Sequence, residues 1–397
     1  MTTVWHHGAW NRNFGDWVLH ESIRHHLGET SRRALRFVDV DSQAATYDRE
    51  RIEALNDEAD LLLVGGGGLL FHRPEDGSAS GWQLDVTTED LARIRVPIAV
   101  YGIGWNRFPY DPEPFPAGFE RHVRAVQERT ALFSVRNTGT RAELARCGLA
   151  PGRIRVVPDA GVFAPARELD LSRALAGDAP VIGWNVAGDR PAHRYPAPAE
   201  ENERRCIATV ARGVRRLCEQ TGARVLLIPH LLEIDERHDA LIREIVGPGR
   251  VVSLRDAVPE LYPPRAETAA LLVGAYDRCD LVIGMRGHAC LIPFGRGRRF
   301  VAFGSHCKTR FLLRDLGAPR LRLLPEEILT GRIGPDEVAA LLRHAGGDPG
   351  FGVLLHRARS AQRAVFQQLN RDVIRTAQAP GAAFERGDHE RPDPGHR

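Results

Sequence analysis

The sequence predicts an α/β protein with two parallel sheets, and three observations support this fold class. The chain has 397 residues, more than the ~150 residues of a typical domain. Hydrophobic residues make up 43% and charged residues 26% of it, as in ordinary globular proteins. Short apolar runs ending in glycine or polar residues recur along the chain, each followed by a helix-like pattern. Such runs are typical of parallel strands covered by helices on both faces.

We interpret the apolar runs as the strands of two Rossmann-like domains, residues 1–168 and 178–348. The stretch Phe163–Ala179, which spans the boundary, lacks a strong strand pattern and carries Pro165 and Gly177. The run Glu203–Gln220 keeps apolar residues at helical spacing. A long helix is predicted over 350–378, packing back across the first domain, and a disordered Pro- and Gly-rich tail over 379–397. The predicted strands are 3–5, 35–40, 60–64, 96–101, 131–135, 154–157, 181–184, 224–228, 251–254, 281–283 and 300–303.

Composition narrows the classes of function. The net charge is only +3 and the basic residues are scattered, which disfavours a nucleic-acid binder. Lys308 is the only lysine among 54 basic residues; it could be a phosphate ligand or a surface residue retained by chance. The six cysteines show no CxxC or Cys/His metal spacing, as in a reducing compartment. The start of the chain has no signal-peptide pattern, and no apolar run approaches the ~20 residues of a membrane span. We therefore expect a cytoplasmic protein.

Candidate binding residues follow the predicted strands, because ligands of parallel α/β sheets bind at the carboxyl ends of strands. After the first strand, Gly15 would let a ligand approach the backbone at a helix N-terminus. Asn13 and Asp16 could bind hydroxyl groups there, although Asp16 could equally be a first-turn acid that stabilises the helix.

Two glycine-rich junctions come next along the chain. Gly66 and Gly67 lie in a run of four glycines after a buried strand, which indicates close approach of a ligand or of backbone. Leu70 stands where a dinucleotide fingerprint needs glycine, so an NAD site is disfavoured. A second junction, YGIGWN, offers Asn106 as a polar contact.

Charged residues follow two later strands of the first half. Arg136 could clamp a carboxylate or phosphate, or form an ion pair with a neighbouring helix. Asp159 could be a general base or a helix cap.

The most specific pattern is LVIGMRGHACLIPFG in the second half. Arg286 and His288 are two residues apart in a glycine-flanked turn between a buried strand and a helix. Arginine can bind a planar anion with two hydrogen bonds, and histidine can transfer a proton near neutral pH. Lys308 follows the next strand at the same edge. A purely structural role for His288 is the alternative.

Together these pieces resemble the polysaccharide pyruvyltransferase family. They occur in family order over about residues 4–317, and Gly287 stands where many relatives carry a bulkier residue. The matching pieces are NFGD, VGGGGLL, GIGW, SVRN, PDAGVF, GWN, IPH and GMRGHACLIPFG followed by Lys308.

The resemblance implies a GT-B-like arrangement of the two domains around a central cleft. It implies a transferase that moves pyruvate from phosphoenolpyruvate, as a ketal, onto two hydroxyls of a sugar in a cell-surface polysaccharide or its lipid-linked precursor. Phosphoenolpyruvate is then a co-substrate, no cofactor or metal is required, and nucleic acid is not a partner. Peripheral contact with a membrane-bound acceptor is compatible with this function.

The resemblance also assigns roles. His288 is the expected general acid, with Arg286 and Lys308 as catalytic cations. The donor-binding set is Arg286, Gly287, His288, Arg136 and Lys308. The acceptor-binding set, on the first domain, is Asn13, Gly15, Asp16, Gly66, Gly67 and Asn106.

Two other functions remain open from the sequence. A GT-B-type glycosyltransferase using a nucleotide sugar would have the same fold and would use the cations to bind a diphosphate. A glycan- or nucleotide-binding relative without activity would retain the residues but not the chemistry.

Overall fold

The computed structural model describes residues 1–10, 13–72, 78, 80–111 and 115–379. The predicted tail from residue 380 onward lies outside the described residues. Within them the chain forms two parallel six-stranded sheets with helices between the strands, which confirms the predicted α/β fold.

The first sheet belongs to the N-terminal domain and has the strand order β2-β1-β3-β4-β5-β6. Its central strands are buried on both faces because they consist of apolar residues and glycine. The strands are β1 (Thr2–Gly8), β2 (Leu35–Asp41), β3 (Leu61–Leu70), β4 (Ile98–Trp105), β5 (Leu132–Val135) and β6 (Arg155–Val156). The helices are α1 (Phe14–Thr30), α2 (Arg49–Glu58), α3 (Thr88–Leu91), α4 (Phe119–Arg129) and α5 (Thr138–Arg146).

The second sheet belongs to the C-terminal domain and has the order β12-β11-β10-β7-β8-β9. The sequence predicted all of its strands except β12, which has only two residues. The strands are β7 (Val181–Asn185), β8 (Arg224–Leu227), β9 (Val251–Ser253), β10 (Leu281–Gly284), β11 (Arg299–Phe303) and β12 (Arg322–Leu323). The helices are α6 (Pro191–Arg194), α7 (Ala199–Thr221), α8 (Asp239–Val246), α9 (Leu254–Ala257), α10 (Ala266–Asp277), α11 (His288–Gly295), α12 (Cys307–Asp315), α13 (Pro325–Leu329) and α14 (Pro335–Gly347).

A final helix, α15 (Pro349–Gln378), returns to the N-terminal domain. Its buried face includes Phe366, which stacks on Phe163 with ring centroids 4.7 Å apart. The buried Tyr101 hydroxyl of β4 donates to Asn370 Oδ1 at 2.7 Å. The helix therefore ties the end of the chain to the first sheet.

The two domains also touch beside the cleft between the carboxyl ends of their strands. The backbone N–H of Phe14 donates to the His230 carbonyl at 2.9 Å. On the other side, the N–H of Thr138 donates to Asp315 at 2.8 Å. These contacts position the first turns of α1 and α5 against the C-terminal domain.

Two chain-wide properties bear on the sequence predictions. All six cysteines are buried free thiols. In the part of the chain that the structure describes, no helix has both the length and the apolar character needed to cross a bilayer.

Candidate functional site

The cleft holds a cavity of about 330 Å³, here called the central cavity, that is lined from both domains. Most of the predicted site residues meet there. Those that line it are Asn13, Asp16, Asn106, Arg136, Arg286, Gly287, His288 and Lys308. The same walls include side chains that were not predicted, among them Gln43, Phe71, Gln83, Asp189, Arg190 and Arg194.

His288 begins helix α11 and is held between two carboxylates of the other domain. Its Nδ1 lies 3.8 Å from Asp16 Oδ1, and its Nε2 lies 3.7 Å from Asp159 Oδ2. The ring is only 8% exposed. Gly15 packs directly against it, since a Cβ at this position would fall 2.6 Å from Nδ1. Gly15 thus makes room for the imidazole instead of lining the cavity.

The second carboxylate, Asp159, is itself paired with Arg136. The Arg136 Nη1–Asp159 Oδ2 distance is 2.9 Å, and both side chains are buried. Burial alone would raise the pKa of Asp159, but His288 and Arg136 hold that pKa well below its usual range. Asp159 is therefore a fixed negative charge behind the histidine. Arg136 is in an ion pair and also lines the central cavity.

Arg286 is oriented by two acids of its own domain. Its Nε donates to Asp235 Oδ2 at 2.8 Å, and its Nη2 lies 2.9 Å from Asp189 Oδ1. The Asn185 side chain accepts from the Arg286 backbone N–H at 3.0 Å. Because these contacts use Nε and Nη2, the Nη1 end of the fork is the part left to meet a ligand in the cavity.

Lys308 lies at the centre of a cationic group. Among the described residues no carboxylate approaches it within 4.0 Å, and its charged neighbours include Arg136 and Arg194. Desolvation of the ammonium, followed by repulsion from Arg136 and Arg194, lowers the pKa of Lys308 to about 8. An anion placed there would relieve that repulsion. An anion at this position beside His288 is compatible with these charges.

Away from Asp16 and Arg136, the N-terminal wall of the cavity carries uncharged residues. Asn106 Nδ2 donates to the Gly68 carbonyl at 3.2 Å, while its buried Oδ1 has no hydrogen-bond partner among the described residues. Gly66 and Gly67, predicted acceptor contacts, are not part of the lining. Both lie in β3, where a Cβ would meet the Leu19 side chain at 3.2 and 3.4 Å. They allow helix α1 to pack on the strand, and Gly68 and Leu69 reach the cavity instead.

Four charged side chains of the site were missed by sequence reasoning. Asp189, Arg190 and Arg194 come from GDRPAHR, directly after β7, and Asp235 comes from the loop after β8. The rule that ligands bind at the carboxyl ends of strands applies to both segments, so it could have found them. They were missed because their irregular spacing resembles that of ordinary loop sequence.

One group of metal-ligating side chains lies elsewhere, on α1. His25, His26 and Glu29 place their ligand atoms within 4.8 Å of one another, and His25 and Glu29 are exposed. The Nε2 atom of His26 is 2.9 Å from the Phe163 carbonyl oxygen. None of the three lines the central cavity.

The fold and the cleft define a class, the GT-B-like two-domain proteins. S. aureus MnaA bound to UDP superposes with a TM-score of 0.53 at 12% identity, covering 95% of this chain and 94% of that one. The Methanocaldococcus jannaschii UDP-GlcNAc 2-epimerase gives 0.51 at 10% identity, covering 92% and 98%. A glycosyltransferase from Rickettsia africae gives 0.52 at 9% identity, covering 95% and 98%. At these identities the likeness concerns the fold alone.

Within that class the family is defined by sequence. The polysaccharide pyruvyl transferase family model matches residues 9–306, about three quarters of the chain. The chain therefore belongs to the polysaccharide pyruvyl transferase family, as the motif resemblance predicted. No functionally curated protein matches it.

Proposed function

We propose that this protein transfers pyruvate from phosphoenolpyruvate onto two hydroxyls of a sugar, in a cell-surface polysaccharide or its precursor. One observation carries the proposal: a histidine held between two carboxylates lies in the same cavity as a lysine whose charged neighbours include two arginines. Family membership supports a transferase of this kind.

The cationic wall suits a donor with two anionic groups. Phosphoenolpyruvate carries a carboxylate and a phosphate on neighbouring atoms, and charge-assisted hydrogen bonds are the strong way to bind both. Lys308 and Arg194 would bind one group, and the Nη1 end of Arg286 the other. Asp189 and Asp235 keep the guanidinium of Arg286 in a single orientation.

His288 would supply the proton that starts the reaction. Protonation of the methylene carbon C3 of phosphoenolpyruvate makes C2 electrophilic. A positioned general acid speeds such a proton transfer. A sugar hydroxyl then forms a C–O bond to C2. Asp16, whose carboxylate faces the cavity beside Nδ1, would receive the hydroxyl proton.

Ketal formation is completed by a second hydroxyl. The C2–O bond to phosphate breaks, phosphate leaves, and the second hydroxyl of the same sugar bonds to C2. Of the two hydroxyl protons lost overall, one replaces the proton that His288 gave to C3 and the other is carried away by phosphate. Atoms and charge therefore balance without an added cofactor or metal.

The test measures phosphate release from phosphoenolpyruvate with a panel of glycan acceptors, in buffer containing a chelator. We expect release that depends on the acceptor and a product heavier than the acceptor by one pyruvyl ketal. Parallel reactions receive UDP-sugars instead of phosphoenolpyruvate. Turnover with a UDP-sugar alone would favour a glycosyltransferase and contradict the proposal. Binding of glycans without turnover of either donor would favour an inactive binding protein.

A further inference from the structure

A second, smaller cavity lies beside the central cavity on the N-terminal domain. It has a volume of about 170 Å³ and is here called the side cavity. Gln43, Phe71 and Gln83 line both cavities, so the two spaces are adjacent. Neither the donor chemistry nor His288 uses this space.

The walls of the side cavity are two segments tied to each other. The backbone N–H of Tyr47 donates to the Asp85 carbonyl at 2.8 Å. The Thr46 hydroxyl donates to Asp85 Oδ2 at 2.7 Å. On the inner side, the Gln83 N–H donates to the Leu69 carbonyl of β3 at 3.1 Å. Both segments are therefore fixed to the sheet before any ligand arrives.

A buried histidine anchors this wall from below. His7 lies inside β1 and is fully buried. Burial lowers the pKa of His7 to about 4, so its ring is neutral near pH 7. Nε2 then donates to the Gln83 carbonyl at 2.6 Å, and Nδ1 accepts from the Tyr47 hydroxyl at 3.1 Å. One ring links both wall segments, as expected of a support for a preorganised binding site.

The side chains facing the cavity are those that bind neutral hydroxyl groups. The Ser42 hydroxyl donates to Gln83 Oε1 at 3.4 Å. The Gln83 side-chain amide nitrogen has no hydrogen-bond acceptor among the described residues. Gln43 is exposed at the junction of the cavities. The described lining contains no lysine or arginine, in contrast to the cationic wall near Lys308. Phe71 and Trp82 add aromatic surface.

We propose that the side cavity binds a second sugar ring of the acceptor, next to the ring that is modified in the central cavity. The inference rests on the proposed function only for the identity of the reacting ring. A polar space with aromatic surface and one carboxylate, Asp85, but no lysine or arginine in its described lining, has the chemistry of a saccharide subsite. A single sugar then fills only part of the site.

The test begins with binding of the whole protein to a printed array of mono- to tetrasaccharides. We expect the best oligosaccharide to bind about 10-fold more tightly than its single terminal sugar, as a few added hydrogen bonds would give. Gln83→Ala removes a subsite amide, and Ala44→Trp fills the side cavity from an exposed position outside the central cavity. Each should reduce the ratio of oligosaccharide to monosaccharide affinity toward one. Gln367→Ala, at an exposed position of α15, should leave that ratio unchanged.

The outcomes separate this inference from the proposed function. No preference for longer saccharides on the array, or an unchanged ratio in a folded Ala44→Trp variant, overturns the inference. Phosphate release from phosphoenolpyruvate could then still occur with a single sugar. Conversely, a length preference lost in both variants supports the subsite even if phosphoenolpyruvate is not consumed. Melting temperatures of the variants verify that they fold.

Discussion

The two walls of the cleft differ in chemistry. The C-terminal wall presents Arg286, Arg194 and Lys308, with carboxylates that orient the arginines. The described part of the N-terminal wall presents mainly amides, such as Asn106 and Gln83, beside the carboxylate of Asp16 and the guanidinium of Arg136, which is paired with Asp159. A wall of cations selects anions, whereas amides bind neutral hydroxyls without a charge penalty. The difference therefore predicts a donor side and an acceptor side.

His288 belongs to both walls. Its backbone is in the C-terminal domain, yet Asp16 and Asp159 on either side of its ring come from the N-terminal domain. The proposed catalytic arrangement therefore depends on contact between the two domains. Variants on each side should consequently affect different substrates, and a variant at the junction should affect the reaction itself.

The largest effect is expected from His288→Ala. Loss of a general acid lowers the rate of phosphate release by about 10² to 10⁴-fold. The melting temperature should stay nearly constant, because Arg136 still neutralises Asp159. His344→Ala, at an exposed histidine of α14, is the matched control and should retain full activity. A large drop in the melting temperature of His288→Ala would instead indicate a structural histidine.

The next effect tests the cationic wall. Lys308→Met removes the charge at the centre of the group, and a lost charge-assisted contact of about 1.5–3 kcal/mol raises KM for phosphoenolpyruvate about 10- to 150-fold. KM for the sugar should change little. Arg310→Met, an exposed cation on the same helix, controls for net charge. Equal effects of the two variants on KM would mean that Lys308 acts only through the net charge of the protein and does not contact phosphoenolpyruvate.

The pH dependence gives an independent measure of the same residue. The pKa of Lys308 is lowered to about 8, so the ammonium is lost as the pH rises through 8. Affinity for phosphoenolpyruvate should fall above that pH and be retained below it. Lys308→Arg keeps its charge at all these pH values, and it should bind more weakly but without this alkaline decline. The same decline in both proteins would exclude Lys308 as its source.

The sequence alone predicted the strands well, because apolar runs buried on both faces leave a clear pattern. It also placed Arg136 at the carboxyl edge of the first sheet, and His288 and Lys308 at that of the second, since parallel strands of a sheet end at the same edge. It could not predict the partners of Arg286. Asp235 is 51 residues away along the chain, and no local pattern marks such a pairing.

Glycines show the same limit. Gly66 and Gly67 were predicted to approach a ligand after a buried strand, and Gly15 was predicted to do so at the start of α1. Gly15 and Gly66 in fact make room for a side chain from another element, His288 and Leu19 respectively, whereas Gly67 has a backbone φ of +92° that favours glycine. A glycine run shows that something approaches closely. Which group approaches depends on long-range packing that the sequence pattern does not contain.

The smallest expected effect tests the amides of the N-terminal wall. Asn106 has a buried Oδ1 without a partner among the described residues, so a sugar hydroxyl could donate to it. Asn106→Ala should raise KM for the acceptor about 2- to 10-fold, the range of one neutral hydrogen bond of ~0.5–1.5 kcal/mol. KM for phosphoenolpyruvate should be unchanged, the reverse of the Lys308→Met pattern. Because Asn106 also holds the Gly68 carbonyl, an Asn106→Asp variant is informative: it keeps the Oδ1 acceptor but places a charge opposite the cations. If either variant changed only the donor KM, the division of the cleft into a donor wall and an acceptor wall would be wrong.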